Sequence, residues 1–223
     1  MIIAIDGPAG SGKSTIARSV AERLGGVYLD SGAMYRAVAW ALSQEKLLDA
    51  DDTVLDRALS NLPLEFMVHD ARLLILWRGV PLGLEIRTPQ TAHGASTIAQ
   101  KPVVRRFLLH QQRRLARGAV VVAEGRDMGT VVFPDAAVKV FLTASPEERA
   151  RRRMAQYREQ EMEADFEAVL QALKERDHAD ASRSLAPLKP ADGAVVVDTS
   201  DMSISQVVEV VMNLVESARK KQA

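Results

Sequence analysis

Gly7, Gly12, Lys13 and Ser14 stand at the spacing G-x-x-x-x-G-K-[ST] within IDGPAGSGKST, residues 5–15. Residues of these types in this pattern can bind phosphate. Glycines let successive backbone N–H groups face phosphate oxygens, and the helix that follows adds the positive end of its dipole. Lys13 would reach the β- and γ-phosphates and the Ser14 hydroxyl would bind Mg2+, with Pro8, Ala9, Gly10, Ser11 and Thr15 completing a nucleoside triphosphate loop.

Triphosphate binding serves several chemistries. A guanine-reading switch would usually carry Asn-Lys-x-Asp, which the sequence lacks. A nucleic-acid motor would usually need a longer chain or a basic tract with aromatics for stacking, and aromatics make up 4% here. A small kinase remains, and it demands a second anion site lined with arginines and an arginine-bearing lid. SPEERARRRMAQYR, from Ser145, offers the lid: Ser145 and Glu148 form a capping box, which would place Arg149, Arg152 and Arg153 on one helical face. A solvated surface helix would carry the same arginines, but this one directly follows a strand end, where open parallel sheets gather ligands. Acceptor candidates come from DSGAMYR at 30–36, EGRDMGT at 124–130 and KERDHADASR at 174–183.

The elements that must position these residues are legible as short branched apolar runs. Ile2 to Ile5, Val27 to Leu29, Ala119 to Ala123, Val138 to Leu142 and Ala194 to Val197 read as strands buried on both faces. Helical stretches separate them. Ile16, Val20 and Leu24 recur every four residues and stop at Gly25 and Gly26, and a second apolar stripe runs from Ile204 through Val207, Val208, Val211 and Leu214 to Val215. This alternation implies an α/β fold with a parallel sheet covered on both sides. One region breaks the rhythm: Leu64, Phe66 and Val68 alternate with polar residues, HDAR turns the chain, and LLILWRGVPL follows with its own turn at Arg78 to Pro81. It reads either as a small antiparallel sheet inserted into the core, forming a lobe, or as an extra edge hairpin without a substrate role.

Composition bounds the class. The chain has 223 residues, 47% of them hydrophobic, with 29 basic and 29 acidic side chains, enough for one sizeable core. Balanced charge argues against a mainly electrostatic partner, so neither nucleic acid nor membrane is expected. The absence of cysteine excludes disulfides and thiolate metal sites. No apolar run approaches spanning length, and Met1 leads directly into Ile2 to Ile5 without a leader pattern, so a cytoplasmic location is expected. The visible apolar stripes are all used by the proposed core, which predicts a monomer.

Taken together, IDGPAGSGKST, DSGAMYR, the EIRT segment at 85–88, EGRDMGTVVFPDA, the ERD…D..R segment and the C-terminal helix resemble the bacterial cytidylate kinase family over essentially the whole chain. The resemblance implies a P-loop NTPase-like nucleoside monophosphate kinase fold with a five-stranded parallel sheet. Residues 1–30, 84–145 and 185–223 would form the core. Residues 31–83 would form the acceptor lobe, with its antiparallel insert at about 62–83, and 146–184 the lid and flanking helices. It also implies phosphoryl transfer from ATP, with Mg2+, to CMP and dCMP. Arg36 and Arg126 would hold the acceptor phosphate with Arg176 assisting; Ser96, Arg105 and Asp127 would read cytosine; Asp180 and Arg183 would contact the sugar, with Ser31 nearby. Lys13, Arg126, Arg149, Arg152 and Arg153 would carry catalysis.

Chemistry agrees with these roles. Guanidinium forks match phosphate oxygens, and a carboxylate such as Asp127 accepts from the exocyclic amine of cytosine, where uracil presents a carbonyl. The four histidines lie in no motif and read as structural or surface residues. One position departs from the family pattern: where many relatives have Asp-Gly-Arg-Asp, this chain has Glu124 before Gly125, a carboxylate one methylene further out near the expected metal site. Ser14 alone is assigned to the metal.

Overall fold

The computed structural model describes residues 1–159 and 161–222. Five parallel strands run β2 (Val27–Asp30), β6 (Val121–Gly125), β1 (Ile2–Asp6), β7 (Val138–Thr143) and β8 (Val195–Asp198) across the sheet. Register aligns their carboxyl ends, with Asp6 opposite Gly125 and Phe141, and Asp30 opposite Glu124. Every loop that leaves these ends therefore converges on one edge of the sheet, where the chain order reverses on either side of β1.

Strand periodicity sorts the core into two layers. Ile3, Ile5, Val122, Val140 and Leu142 face α1 (Lys13–Leu24) and α8 (Ile204–Gln222), which supply Ile16, Val20, Val207, Val208, Val211 and Val215. Ala4, Leu29, Val121 and Ala123 face the other way, onto α2 (Ser31–Gln44), α4 (Pro89–Ile98) and α5 (Pro102–Leu115). The α1 stripe ends as its sequence requires, with Gly25 in the left-handed region donating to Ala21 and Glu22 carbonyls. Among the described residues no helix is long and apolar enough to cross a membrane.

β3 (Leu64–His69) and β4 (Arg72–Trp77) form an antiparallel hairpin, with β5 (Val80–Pro81) returning on β4. Both reversals use residues at positive φ, Asp70 and Ala71 in the first and Arg78 and Gly79 in the second. β4 also touches β2 in parallel at Tyr28 and Arg72, so the insert extends the edge of the core sheet instead of standing as a separate one. Leu64, Phe66 and Ile75 bury one face of it in the main core. α3 (Asp52–Asn61) precedes the hairpin and packs on α5 through Leu55 and Leu59.

Two strand expectations need correction. The run expected at Ala119 to Ala123 pairs two residues later, from Val121 through Gly125, with the Val120 carbonyl accepting the Val27 N–H at the start of the ladder. The strand thereby carries Glu124 to the sheet edge. β8 is not covered on both faces: it is an edge strand, and Val195 and Val196 are 40% and 55% exposed.

Beyond the sheet, α6 (Pro146–Glu159) and α7 (Phe166–Ala181) pack on each other through Ala150, Leu170 and Leu173, and this small cluster reaches Ala9 of the glycine loop. Only half of the expected capping box forms: the Ser145 hydroxyl accepts from the Glu148 N–H at 3.2 Å, but the Ser145 N–H donates to the Ser200 hydroxyl at 2.9 Å and the Glu148 carboxylate is taken by Arg151 and Arg152.

Candidate active site

The loop between β1 and α1 forms because glycine alone fits it. A side chain at Gly7 would collide with the Leu142 carbonyl oxygen, and Gly12 begins the helix at a φ of 89°. Lys13 folds back over the loop, and its ammonium donates to the Pro8 carbonyl at 2.7 Å, an acceptor it shares with the Ser11 hydroxyl at 3.0 Å. Burial lowers the Lys13 pKa to about 7, the nearby Arg126 and Arg176 add to that, and Glu124 and Asp6 oppose it. A phosphate placed here would restore the charge. Ser14 and Thr15 lie exposed beyond the loop at the head of the helix.

Asp6, the last residue of β1, ties the donor loop to the acceptor side. Its carboxylate accepts the N–H groups of Met128 and Gly129 at 2.8 and 2.7 Å, at the start of the wide helical turn Met128–Val132. Burial raises its pKa to about 6 against those two hydrogen bonds. This contact fixes the turn that follows β6 and so aims Arg126 and Asp127.

The opposite side of the site, where the acceptor residues are expected, is assembled from paired charges. Arg126, from the end of β6, donates through Nε to Asp180 at 2.7 Å, and Arg183 binds the other oxygen of the same carboxylate. Burial alone would raise the Asp180 pKa, but Arg126 and Arg183 outweigh it and hold it below the ordinary range. Arg105, on α5, is paired with Asp127 and lies 6.0 Å from the Tyr35 ring centroid. Asp127 is buried deeply enough that its pKa rises in spite of Arg105, Arg183 and Arg126. Ser31 accepts from the amide of the buried Gln112 at 3.0 Å.

The centre of the site holds cations in excess. Burial pushes the Arg176 pKa down to about 10, and Arg126, Arg153 and Arg36 push it further while Asp180 resists. The buried Nε atoms of Arg36 and Arg176 have no hydrogen-bond partner among the described residues. Arg36 otherwise touches Asp30 at 3.4 Å, while Asp30 caps α2 by accepting the Ala33 N–H. Guanidiniums gathered from α2, the end of β6, α6 and α7 make a site suited to an anion.

Of the residues expected from sequence, Lys13, Arg36, Arg126, Asp127, Arg176, Asp180, Arg183 and Arg105 converge at the sheet edge. Ser96 is half-buried on α4. The three arginines of α6 meet different partners, with Arg149 and Arg152 both lying against the glycine loop, at Gly10 and Gly12. Arg149 is buried, donating to the Ala144 and Ala9 carbonyls at 3.0 and 3.1 Å and pairing with Asp177 of α7. Arg152 donates to the Thr199 hydroxyl and carbonyl at 3.0 and 2.6 Å. Arg153 alone adds to the field at Arg176. Sequence reasoning missed Asp6, Tyr28 and Gln112 as parts of the site. Only Asp6 carried a signal, as the polar residue that closes a buried strand just before the glycine loop.

Mg2+ would fit beside Ser14. The buried Glu124 carboxylate stands next to the Ser14 hydroxyl and to Asp30, and two carboxylates at such close quarters raise the Glu124 pKa beyond what burial does alone. Among the described residues there is no cluster of three or more acidic, cysteine or histidine ligands.

A parallel α/β sheet with a phosphate loop after its central strand and a cationic second site at the same edge defines a nucleotide-dependent phosphotransferase. A profile of the cytidylate kinase family matches residues 3–217, and the chain belongs to that family of nucleoside monophosphate kinases. The chain is 43% identical over 222 residues to the cytidylate kinase of Erwinia tasmaniensis, covering 100% of this chain and 96% of that one. It is 45% identical over 214 residues to the cytidylate kinase of Fervidobacterium nodosum, covering 96% and 95%. In fold it is similar to a crystal structure of an uncharacterised protein from Eubacterium ventriosum, at a TM-score of 0.51, 12% identity and 97% and 99% coverage.

Proposed function

We propose that this kinase transfers the γ-phosphoryl group of ATP to CMP and to dCMP, releasing ADP with CDP or dCDP. The observation that carries the reading is the cation-rich centre that gathers Lys13, Arg36, Arg126 and Arg176, in which Arg36 Nε and Arg176 Nε are buried without a hydrogen-bond partner among the described residues.

In this reading Arg36, Arg126 and Arg176 hold the acceptor phosphate, and the loop from Gly7 to Thr15 holds the donor. No general base is required, because a phosphate monoester with a second pKa of about 6 is already an anion near neutral pH. Lys13 and Arg126 stabilise charge on the transferring group, joined by Arg153 from the α6–α7 lid, residues 146–184. Magnesium, when bound through Ser14, supplies charge neutralisation of the triphosphate. Arg152 steadies the segment after β8, and Arg149 ties the glycine loop to α7, so both act on the donor side through position. Lid closure excludes water that would otherwise consume ATP.

Cytosine is read by Asp127, Arg105 and Ser96. The Arg105–Asp127 pair sets donor and acceptor side by side, matched to the carbonyl and exocyclic amine edge of cytosine. Asp180, Arg183 and Ser31 take the sugar. One chain supplies every group, so a monomer suffices. Incubation with ATP, Mg2+ and CMP should yield CDP and ADP in equal amounts by ion-exchange chromatography. ATP loss without CDP would overturn the assignment.

A further inference from the structure

We infer that Tyr28 is a positioning residue for the metal-facing end of the site, its phenol holding the Glu124 carboxylate beside Ser14. The inference rests on the nucleotide reading above and deepens it. Tyr28 and Glu124 lie on neighbouring parallel strands, Tyr28 opposite Val122 and Asp30 opposite Glu124, so the tyrosine sits one pleat behind the carboxylate. Its hydroxyl donates to Glu124 Oε1 at 2.6 Å. The ring is itself held in place, packed against the α1–α8 core layer and with the Arg18 guanidinium 5.5 Å from its centroid. Arg18 belongs to α1, the helix whose first turn presents Ser14.

The contact depends on the length of the side chain at position 124. A buried carboxylate next to the like-charged Asp30 is costly unless a donor holds it. The longer side chain of glutamate reaches the phenol; an aspartate there would fall one methylene short. With Oε1 bonded to Tyr28, the second oxygen would be the one to accept water protons from a hydrated cation held beside Ser14. Tyr28 thus orients an outer ligand without touching the nucleotide, an arrangement whose loss ordinarily costs metal affinity more than fold.

The test is calorimetric titration of ADP into the purified protein with and without Mg2+, giving the factor by which magnesium tightens ADP. Tyr28→Phe should shrink that factor by up to roughly tenfold, with metal-free ADP binding unchanged within about twofold. Glu124→Asp, which withdraws the carboxylate from the phenol, should shrink it likewise, and adding Tyr28→Phe to it should cost nothing further. If Tyr28→Phe does not fold by circular dichroism, Glu124→Asp carries the test alone. A magnesium factor left intact by the variants, or an equal weakening of metal-free ADP, overturns the inference and spares the nucleotide reading. A parent protein in which magnesium never tightens ADP overturns both.

Discussion

The two halves of the site are built by different means. The donor loop is one continuous stretch, shaped by backbone conformation: Gly7 clears Leu142, Gly12 opens a helix, and Lys13 rests on the Pro8 carbonyl 2.7 Å away. The acceptor side comes from α2, α4, α5, the end of β6 and α7, and what joins them is charge, in the pairs Arg105–Asp127 and Arg126–Asp180–Arg183. Backbone donors can face water, whereas buried cations need counter-charges, and Arg105, Arg126 and Arg183 have theirs in Asp127 and Asp180. The lesson is that the donor half should respond to substitution mainly in rate, and the acceptor half in rate and stability together.

The largest expected effect separates the two. Lys13→Ala should lower turnover by about 10³-fold or more, because a single preorganised charge at the transferring group is worth that order. The circular dichroism spectrum should stay unchanged; a variant that keeps substantial turnover would refute the role. Next, Asp180→Asn strands Arg126 and Arg183 around a neutral amide. Breaking such a buried pair should cost about 3 kcal/mol of stability in chemical denaturation, together with a higher KM for CMP. A stability change near zero would show that the pair is not holding the acceptor half together. Asp127→Asn should be gentler on the fold and sharper in specificity, narrowing the preference for CMP over UMP by about 10- to 100-fold in kcat/KM. Unchanged selectivity would remove Asp127 from base reading.

A smaller effect reports on protonation. Lys13 has a pKa lowered to about 7 in the ligand-free fold from 10.5. The unfolded chain therefore binds the extra proton between those values, and this group makes stability rise with pH across roughly pH 7 to 10. Asp6 works in the opposite sense at lower pH: its pKa is raised to about 6, so its contribution falls as pH rises from 3.8 toward 6. Phosphates on Lys13 should restore its charge. ADP binding at pH 8 should then draw up to one proton from the buffer, seen as a dependence of the binding enthalpy on buffer ionisation. Lys13→Met should abolish that dependence; persistence of the dependence would assign it to another group.

The same division explains what the sequence disclosed. The donor loop was legible because its chemistry needs contiguous residues, and the helix after it because Ile16, Val20 and Leu24 repeat at one turn and end at Gly25. The antiparallel insert was legible in its alternation and its two turns, but not its attachment, since the pairing of β4 with β2 rests on a single bridge at Tyr28 and Arg72. The acceptor arginines could be named from their motifs. Which carboxylate each one meets could not, because Arg126 and Asp180 lie 54 residues apart and only the fold brings them together. Arg149 shows the opposite failure: helical spacing grouped it with Arg152 and Arg153, whereas packing turns it inward onto Ala9 and Asp177. Tyr28 and Gln112 were invisible, being polar side chains in otherwise apolar or basic contexts whose partners are set across the sheet and between helices.

The most direct test is ADP release from ATP and Mg2+ by the purified protein with CMP, dCMP, UMP, AMP, GMP, shikimate and no acceptor in parallel. Turnover concentrated on CMP and dCMP, with UMP well behind and little release without acceptor, is the predicted result. Equal, slow release with every acceptor would contradict it, leaving the phosphate loop in place and the acceptor half without its assigned substrate.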